Sequence, residues 1–127
     1  MTRVRIFKVK WFTRFSRRER IPDQALVEAI ERAENGLVDP DLGGHLIKQR
    51  VAREGKVRSG GYRTIIVFKS GSRSFFVYGF AMSDQSNLSP EDEANYKAAA
   101  KRLLYLSNEL LAQLVEDGTL TEVAPDD

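Results

Sequence analysis

From position 48 to 63 the chain sets Lys48, Arg50, Arg53, Lys56, Arg58 and Arg63 against one acid, Glu54, and interrupts the run with Ser59-Gly60-Gly61-Tyr62. Lys48 and Arg50 lie two residues apart in the alternating segment "HLIKQRVA" (45–52), where one parity carries Leu46, Lys48 and Arg50 and the other Ile47 and Val51. As a strand, this segment projects both cations from one sheet face, which suits holding a phosphate from a rigid surface. Arg53, Lys56 and Arg58 follow in a loop, and Gly60-Gly61 permit close backbone approach before Tyr62-Arg63 re-enter the sheet. Spacing alone leaves two readings open: a polyanion site, or a solvated hairpin edge guarded by charge.

Other chemistries are thinly supplied. There is no cysteine, which removes disulfides, thiolate metal sites and a catalytic thiol. His45 is the only histidine, so no His pair can hold a metal, and its place beside Gly44 at a strand start suits a structural role. Neither Gly-x-Gly-x-x-Gly nor a P-loop occurs, and no acidic cluster has magnesium-binding spacing. The residues therefore imply no cofactor and no metal. RNA cleavage needs neither: its 2′-OH can attack the adjacent phosphate if a base takes the proton and cations stabilise the phosphorane. Crowded cations can also depress a lysine's pKa by like-charge repulsion.

Charge is segregated along the 127 residues. Residues 1–20 hold eight Lys/Arg against Glu19, and residues 45–73 hold eight against Glu54. Acids dominate residues 21–44 (six against one base) and 84–127 (ten against three). The pattern predicts a face for phosphates, unless folding intermixes the blocks. No apolar run has transmembrane length and no leader-like apolar stretch follows the N-terminus, so a cytoplasmic protein with no membrane partner is expected.

The elements that must position these residues are legible. "VRIFKVK" (4–10) reads as a strand and "WFTRFSRRER" (11–20) as a short helix with Trp11, Phe12 and Phe15 on its core side. "PDQALVEAIERAENG" is a helix from Pro22 to a stop at Gly36, and "LVDPDLGG" (37–44) is a loop. "YRTIIVF" (62–68) and "SFFVYGFA" (74–81) are strands joined through a glycine-centred loop that ends at Arg73. Ser89 caps a long helix carrying Ala99, Leu103, Leu106, Leu110 and Leu114, divisible at Ser107-Asn108 and stopping at Gly118. An acidic tail over about 120–127 is disorder-prone, with a short strand at its start as the ordered alternative. One α+β domain follows, with helices packed on a small twisted antiparallel sheet.

"FKVKWFTRF", "GLVDPDLGGHLIKQRVA", "SGGYRTIIVF" and "FFVYGFA", in this order, resemble the RelE/HigB-like toxins of bacterial type II toxin–antitoxin systems. The Ser-Gly-Gly-Tyr-Arg motif points to the HigB-type branch. The resemblance implies a microbial-RNase-like fold and a translation-dependent mRNA endonuclease acting at the ribosome. It implies that one of Lys48 and Arg50 is the general base and the other electrostatic support, and that Arg63 contacts the scissile phosphate. Arg53, Lys56 and Arg58 would hold RNA backbone, with Arg73 as a further RNA-binding candidate. The implied partner is a small antitoxin, often a helix-turn-helix protein, through which operator DNA is reached. Relatives carry cations after the last strand where this chain reads "GFAMSDQSNL", with Met82, Ser83 and Gln85 at those positions. Losing one such contact costs about 2.7–4 kcal/mol of transition-state stabilisation. A catalytically weakened, binding member is thus the alternative, and a ParE-like gyrase inhibitor a third. Tyr78 and Tyr96 are the candidates for a catalytic tyrosine, with core packing the alternative for Tyr78, and Tyr62 is either a structural residue at a strand start or a base-stacking one.

Overall fold

The computed structural model describes residues 4–38, 40–52, 61–82 and 88–123. In chain order they form β1 (Ile6–Val9), α1 (Lys10–Arg18), α2 (Asp23–Glu34), β2 (Asp41–Gly43), β3 (Leu46–Ala52), β4 (Gly61–Phe68), β5 (Ser74–Ala81), α3 (Pro90–Leu104), α4 (Asn108–Glu116) and β6 (Leu120–Val123). The strands make one sheet in the order β2-β3-β4-β5-β1-β6. The α+β class holds, and β3 to β5 are the expected antiparallel meander, while β2 is an added edge strand within the stretch expected to be a loop. The sheet as a whole is mixed, however, because β1 runs parallel to β5. Alternation along β1 shows which residues face inward but not which strand will lie beside it. The start of the acidic tail is ordered: Leu120–Val123 pairs antiparallel with β1 and closes that edge.

Nearly continuous apolar runs in β4 and β5 are explained by cover on both faces. On one, Phe12 and Phe15 of α1 and Leu26 and Ile30 of α2 pack with Ile47, Val51, Ile66 and Phe76. On the other, Ala100 of α3 and Leu111 of α4 pack with Leu46, Ile65, Val67 and Phe75. The register slips once between β4 and β5: Ile65 faces Tyr78 and Ile66 faces Phe76, leaving Val77 as a bulge. Val77 and Tyr78 consequently both belong to the α3/α4 side.

Helix ends follow the sequence signals closely. The Ser89 hydroxyl accepts from Asp92 N–H at 3.0 Å, and Ser107 accepts from Leu110 N–H at 3.1 Å, starting α4 where a break was expected. α1 and α2 end in the same way. Ile21 N–H reaches Ser16 O and Arg20 N–H reaches Arg17 O, just as Leu37 and Gly36 reach Arg32 and Ala33. The left-handed position of this motif is Gly36 (φ +84°) in α2 but Arg20 (φ +58°) in α1, an uncommon place for a side chain.

Gly79 is where α1 meets the sheet. A Cβ there would lie 2.9 Å from a ring carbon of Phe15 and 3.2 Å from one of Phe12, both buried. Gly79→Ala is therefore expected to destabilise the fold by about 1–3 kcal/mol through overpacking, read as a lowered denaturant midpoint with unchanged slope. At the β1–β6 edge, Arg5 donates twice to the Glu122 carboxylate, each bond 2.9 Å. That hydrogen bond holds the Glu122 pKa below the usual glutamate range, with the guanidinium charge adding to it against some desolvation. A depressed folded-state pKa contributes stability above the unfolded value, lost as pH falls through the folded one. Thermal melts across the acid range should show wild type losing slightly more stability than Glu122→Gln; the pair is partly exposed, so the difference is small.

Candidate nucleic-acid interface

The direction in which the β3 cations point is decided by their neighbours. Ile47 and Val51 are buried beneath α1 and α2, and Gln49 between them is 1% exposed. The Gln49 amide donates to Ala29 O at 2.8 Å and Leu37 O at 3.0 Å. With that parity committed to the α1/α2 side, Lys48 and Arg50 project from the other face. Lys48 is half-buried and Arg50 exposed.

Arg63 joins them from β4. The register sets Arg50 opposite Arg63 and Lys48 opposite Ile65, and β5 continues these rows with Phe80 and Tyr78. Phe68 N–H donates to His45 O at 2.8 Å, and Lys48 N–H turns the other way, to Pro40 O at 2.9 Å. Alternation of the antiparallel ladder then makes Arg50–Arg63 a non-hydrogen-bonded pair, the type whose side chains stand closest. Like charges directly opposite are destabilising. Among the described residues neither Lys48 nor Arg50 has an acidic partner within ion-pairing distance. The Arg50 carbonyl lies beyond the end of the short β2 and accepts instead from the Arg32 guanidinium of α2.

Aromatic residues border the cations. Tyr78 stacks on Trp11 at 4.8 Å between ring centres and meets Tyr96 of α3 at 6.1 Å and Phe80 at 6.2 Å. Two strand spacings separate Tyr78 from Lys48, about 10 Å. Burial holds the Tyr96 pKa above the usual phenol range, with the Asp92 carboxylate and Tyr78 adding to it. Its hydroxyl thus keeps its proton at neutral pH. Trp11, expected in the core, is 43% exposed. Its helical position, between the buried arc of Phe12 and Phe15 and the basic arc of Arg14 and Arg18, marks it as a boundary residue that hydrophobicity alone had misplaced.

Other candidates fall elsewhere. Tyr62 is 2% exposed on the α1 side, edge-on to Phe15, and its hydroxyl donates to the Glu19 carboxylate at 3.2 Å, so base stacking is closed to it. Arg73 stands at the opposite end of β5, where its guanidinium donates to Leu106 O at 2.6 Å and Asn108 Oδ1 at 2.9 Å. It seals the α3–α4 corner and is not brought to the Lys48 group. Arg53, Lys56, Arg58, Ser83 and Gln85 lie outside the described residues. Met82 is on the site's side: a Cβ at Gly61, which shares a face with Arg63, would meet its sulfur at 3.7 Å. His45 occupies a left-handed turn with Gly43 and Gly44. Among the described residues there is no cluster of His, Cys, Asp and Glu able to hold a metal, and no helix long and apolar enough to cross a membrane.

Two arginines held face to face beside a lysine, at the edge of an aromatic group, can bind and stabilise a polyanion. A family model described as the RelE toxin of the RelE/RelB toxin–antitoxin system matches residues 4–123. The chain belongs to that family. It is thus the toxin of a toxin–antitoxin pair, and an antitoxin is its partner. Comparison with curated proteins returns no match.

The register sets Arg50 and Arg63 of this RelE-family toxin side by side as like charges. Arg50→Gln should raise unfolding free energy by about 0.2–1 kcal/mol. Added salt, which screens like charges, should stabilise wild type more than the variant.

Proposed function

We propose that this toxin is a translation-dependent mRNA endonuclease that cuts by metal-independent attack of a 2′-OH on the adjacent phosphate. The observation that carries the reading is the placement of Lys48, Arg50 and Arg63 on one sheet face, half-buried except for the exposed Arg50, with the two arginines directly opposed in register. In this reading Lys48 takes the 2′ proton as the 2′-oxygen bonds to phosphorus. Arg50 and Arg63 hold the charge that accumulates on the phosphorane oxygens. The bond from phosphorus to the 5′-oxygen then breaks, that oxygen leaves with a proton, and a 2′,3′-cyclic phosphate remains. Arg53, Lys56 and Arg58, assigned by resemblance, grip the backbone on either side. The partner antitoxin is a small helix-turn-helix protein, and operator DNA is contacted through it, in the cytoplasm where ribosomes and message meet.

A second reading is favoured by one observation. The Met82 thioether stands beside Gly61 on the same face, where relatives carry a cation. On that reading the protein binds but cuts weakly or not at all.

Controlled expression in bacteria with mapping of mRNA 5′ ends separates the two. Wild type should arrest growth and leave codon-phased cuts, while Lys48→Ala/Arg63→Ala should abolish both. A folded wild-type protein that neither arrests growth nor cuts would sink the nuclease reading.

A further inference from the structure

The Lys48 face uses only one of the two basic blocks. The other, at the N-terminus, becomes α1. Arg17, Lys10, Arg14 and Arg18 are all exposed and, at 3.6 residues per turn, fall within an arc of about 100° on the helix side away from Phe12 and Phe15. Lys10–Arg14, Arg14–Arg17 and Arg14–Arg18 are like-charge neighbours at i+3 or i+4, each unfavourable to the helix. Arg14 and Arg17 have no acidic partner among the described residues, and Lys10 has only the field of Asp117 nearby. Another acid next to the stripe, Glu19, already accepts from Tyr62 and pairs with Arg18 at 3.6 Å. Just beyond the helix, Arg20 keeps a side chain at a left-handed position that glycine fills at the end of α2.

The stripe also connects to the site. Trp11 borders it on the helix surface and stacks on both Phe15 (5.2 Å) and Tyr78 (4.8 Å). Tyr78 in turn adjoins Phe80, which pairs with Arg63. Cations and aromatic edges thus continue from Arg63 around the end of β5 to α1. Backbone-tracking charge interleaved with aromatic rings is the composition that single-stranded nucleic acid takes.

We propose that the outward face of α1 is a second RNA-backbone surface, receiving the same strand as it leaves the Lys48–Arg63 face past Trp11. The proposal rests on the RNA reading of that first face.

The test measures binding of two labelled 2′-O-methyl RNAs, which keep the phosphates but lack the attacking hydroxyl: a trinucleotide and a strand of about 16 nucleotides. Arg14→Gln/Arg17→Gln should bind the longer strand on the order of tenfold more weakly at low salt. Its slope of log affinity against log salt should shrink by about 1.4, from about 0.7 per phosphate contact, with trinucleotide binding unchanged. Arg14→Gln alone should give half that change in slope, which keeps the test decisive if the double variant folds poorly. Equal affinity and slope on the longer strand would overturn the proposal. So would a loss confined to antitoxin or ribosome binding, which would assign the stripe to that partner. Lys48→Ala/Arg63→Ala should lose the trinucleotide. If it binds as wild type does, the first face is misread and the continuous path falls with it, a result separable from failure at α1 alone.

Discussion

The geometry of the candidate site depends on a buried amide. Gln49 is nearly fully enclosed and gives both its protons to backbone carbonyls, at Ala29 in α2 and at Leu37 just after it. Removing a partner from a buried polar group costs about 1–3 kcal/mol. The amide thus ties β3 to α2 in one register, and Ile47 and Val51 beside it add apolar burial in the same sense. A slip of one residue would exchange the two parities, placing Lys48 and Arg50 under α2 and exposing Ile47 and Val51. Burying unpaired charge is far more costly than losing one hydrogen bond. The exposure of the cations, and the meeting of Arg50 with Arg63, follow from that constraint.

Much of the fold was legible because its signals are local. Caps at Ser89 and Ser107, stops at Gly36 and Gly118, and the span of β5 are written in short stretches whose chemistry does not depend on the rest of the chain. What could not be read is non-local. The β-forming pattern of β1 is local, yet its parallel pairing with β5 is made only after the chain has passed through two helices and three strands. β2 is three residues in a Pro/Gly-rich segment and exists because β3 offers it an edge. The tail segment Leu120–Val123 is ordered for the same reason, through β1 and the Arg5–Glu122 bridge.

The site shows the same division. Strand parity sufficed to place Lys48 and Arg50 on one face, but their opposition to Arg63 required the register across a loop outside the described residues. Arg73 looked like another RNA cation because composition carries no information about partners. Its guanidinium instead answers Leu106 O and Asn108 where α3 turns into α4. Trp11 leaves its expected core role, and Tyr62 takes the structural one of its two readings, for a related reason. Hydrophobic periodicity ranks residues by type, whereas burial here is decided by which side of β5 each ring reaches, and Tyr62 falls under Phe15 while Trp11 falls at the rim.

Charge segregation along the sequence survives folding, though not as two flat faces. Several acids of the acidic blocks help to hold the structure. Asp23 pairs with the nearly buried Lys8 at 3.2 Å, Glu34 accepts from Ser70 and Gly71 in the β4–β5 turn, and Glu93 pairs with Lys97. Glu122 binds Arg5, and Asp41 and Asp117 accept from backbone N–H groups two residues on. Among the described residues the cations at Lys48, Arg50, Arg14 and Arg17 receive no such pairing. Acids engaged at turns and strand edges are not beside those four cations, which leaves them without a carboxylate partner among the described residues. Under the proposed RNA-cleaving function this division has a use: carboxylates stabilise the scaffold locally, while Lys48, Arg50, Arg14 and Arg17 stay available to phosphates.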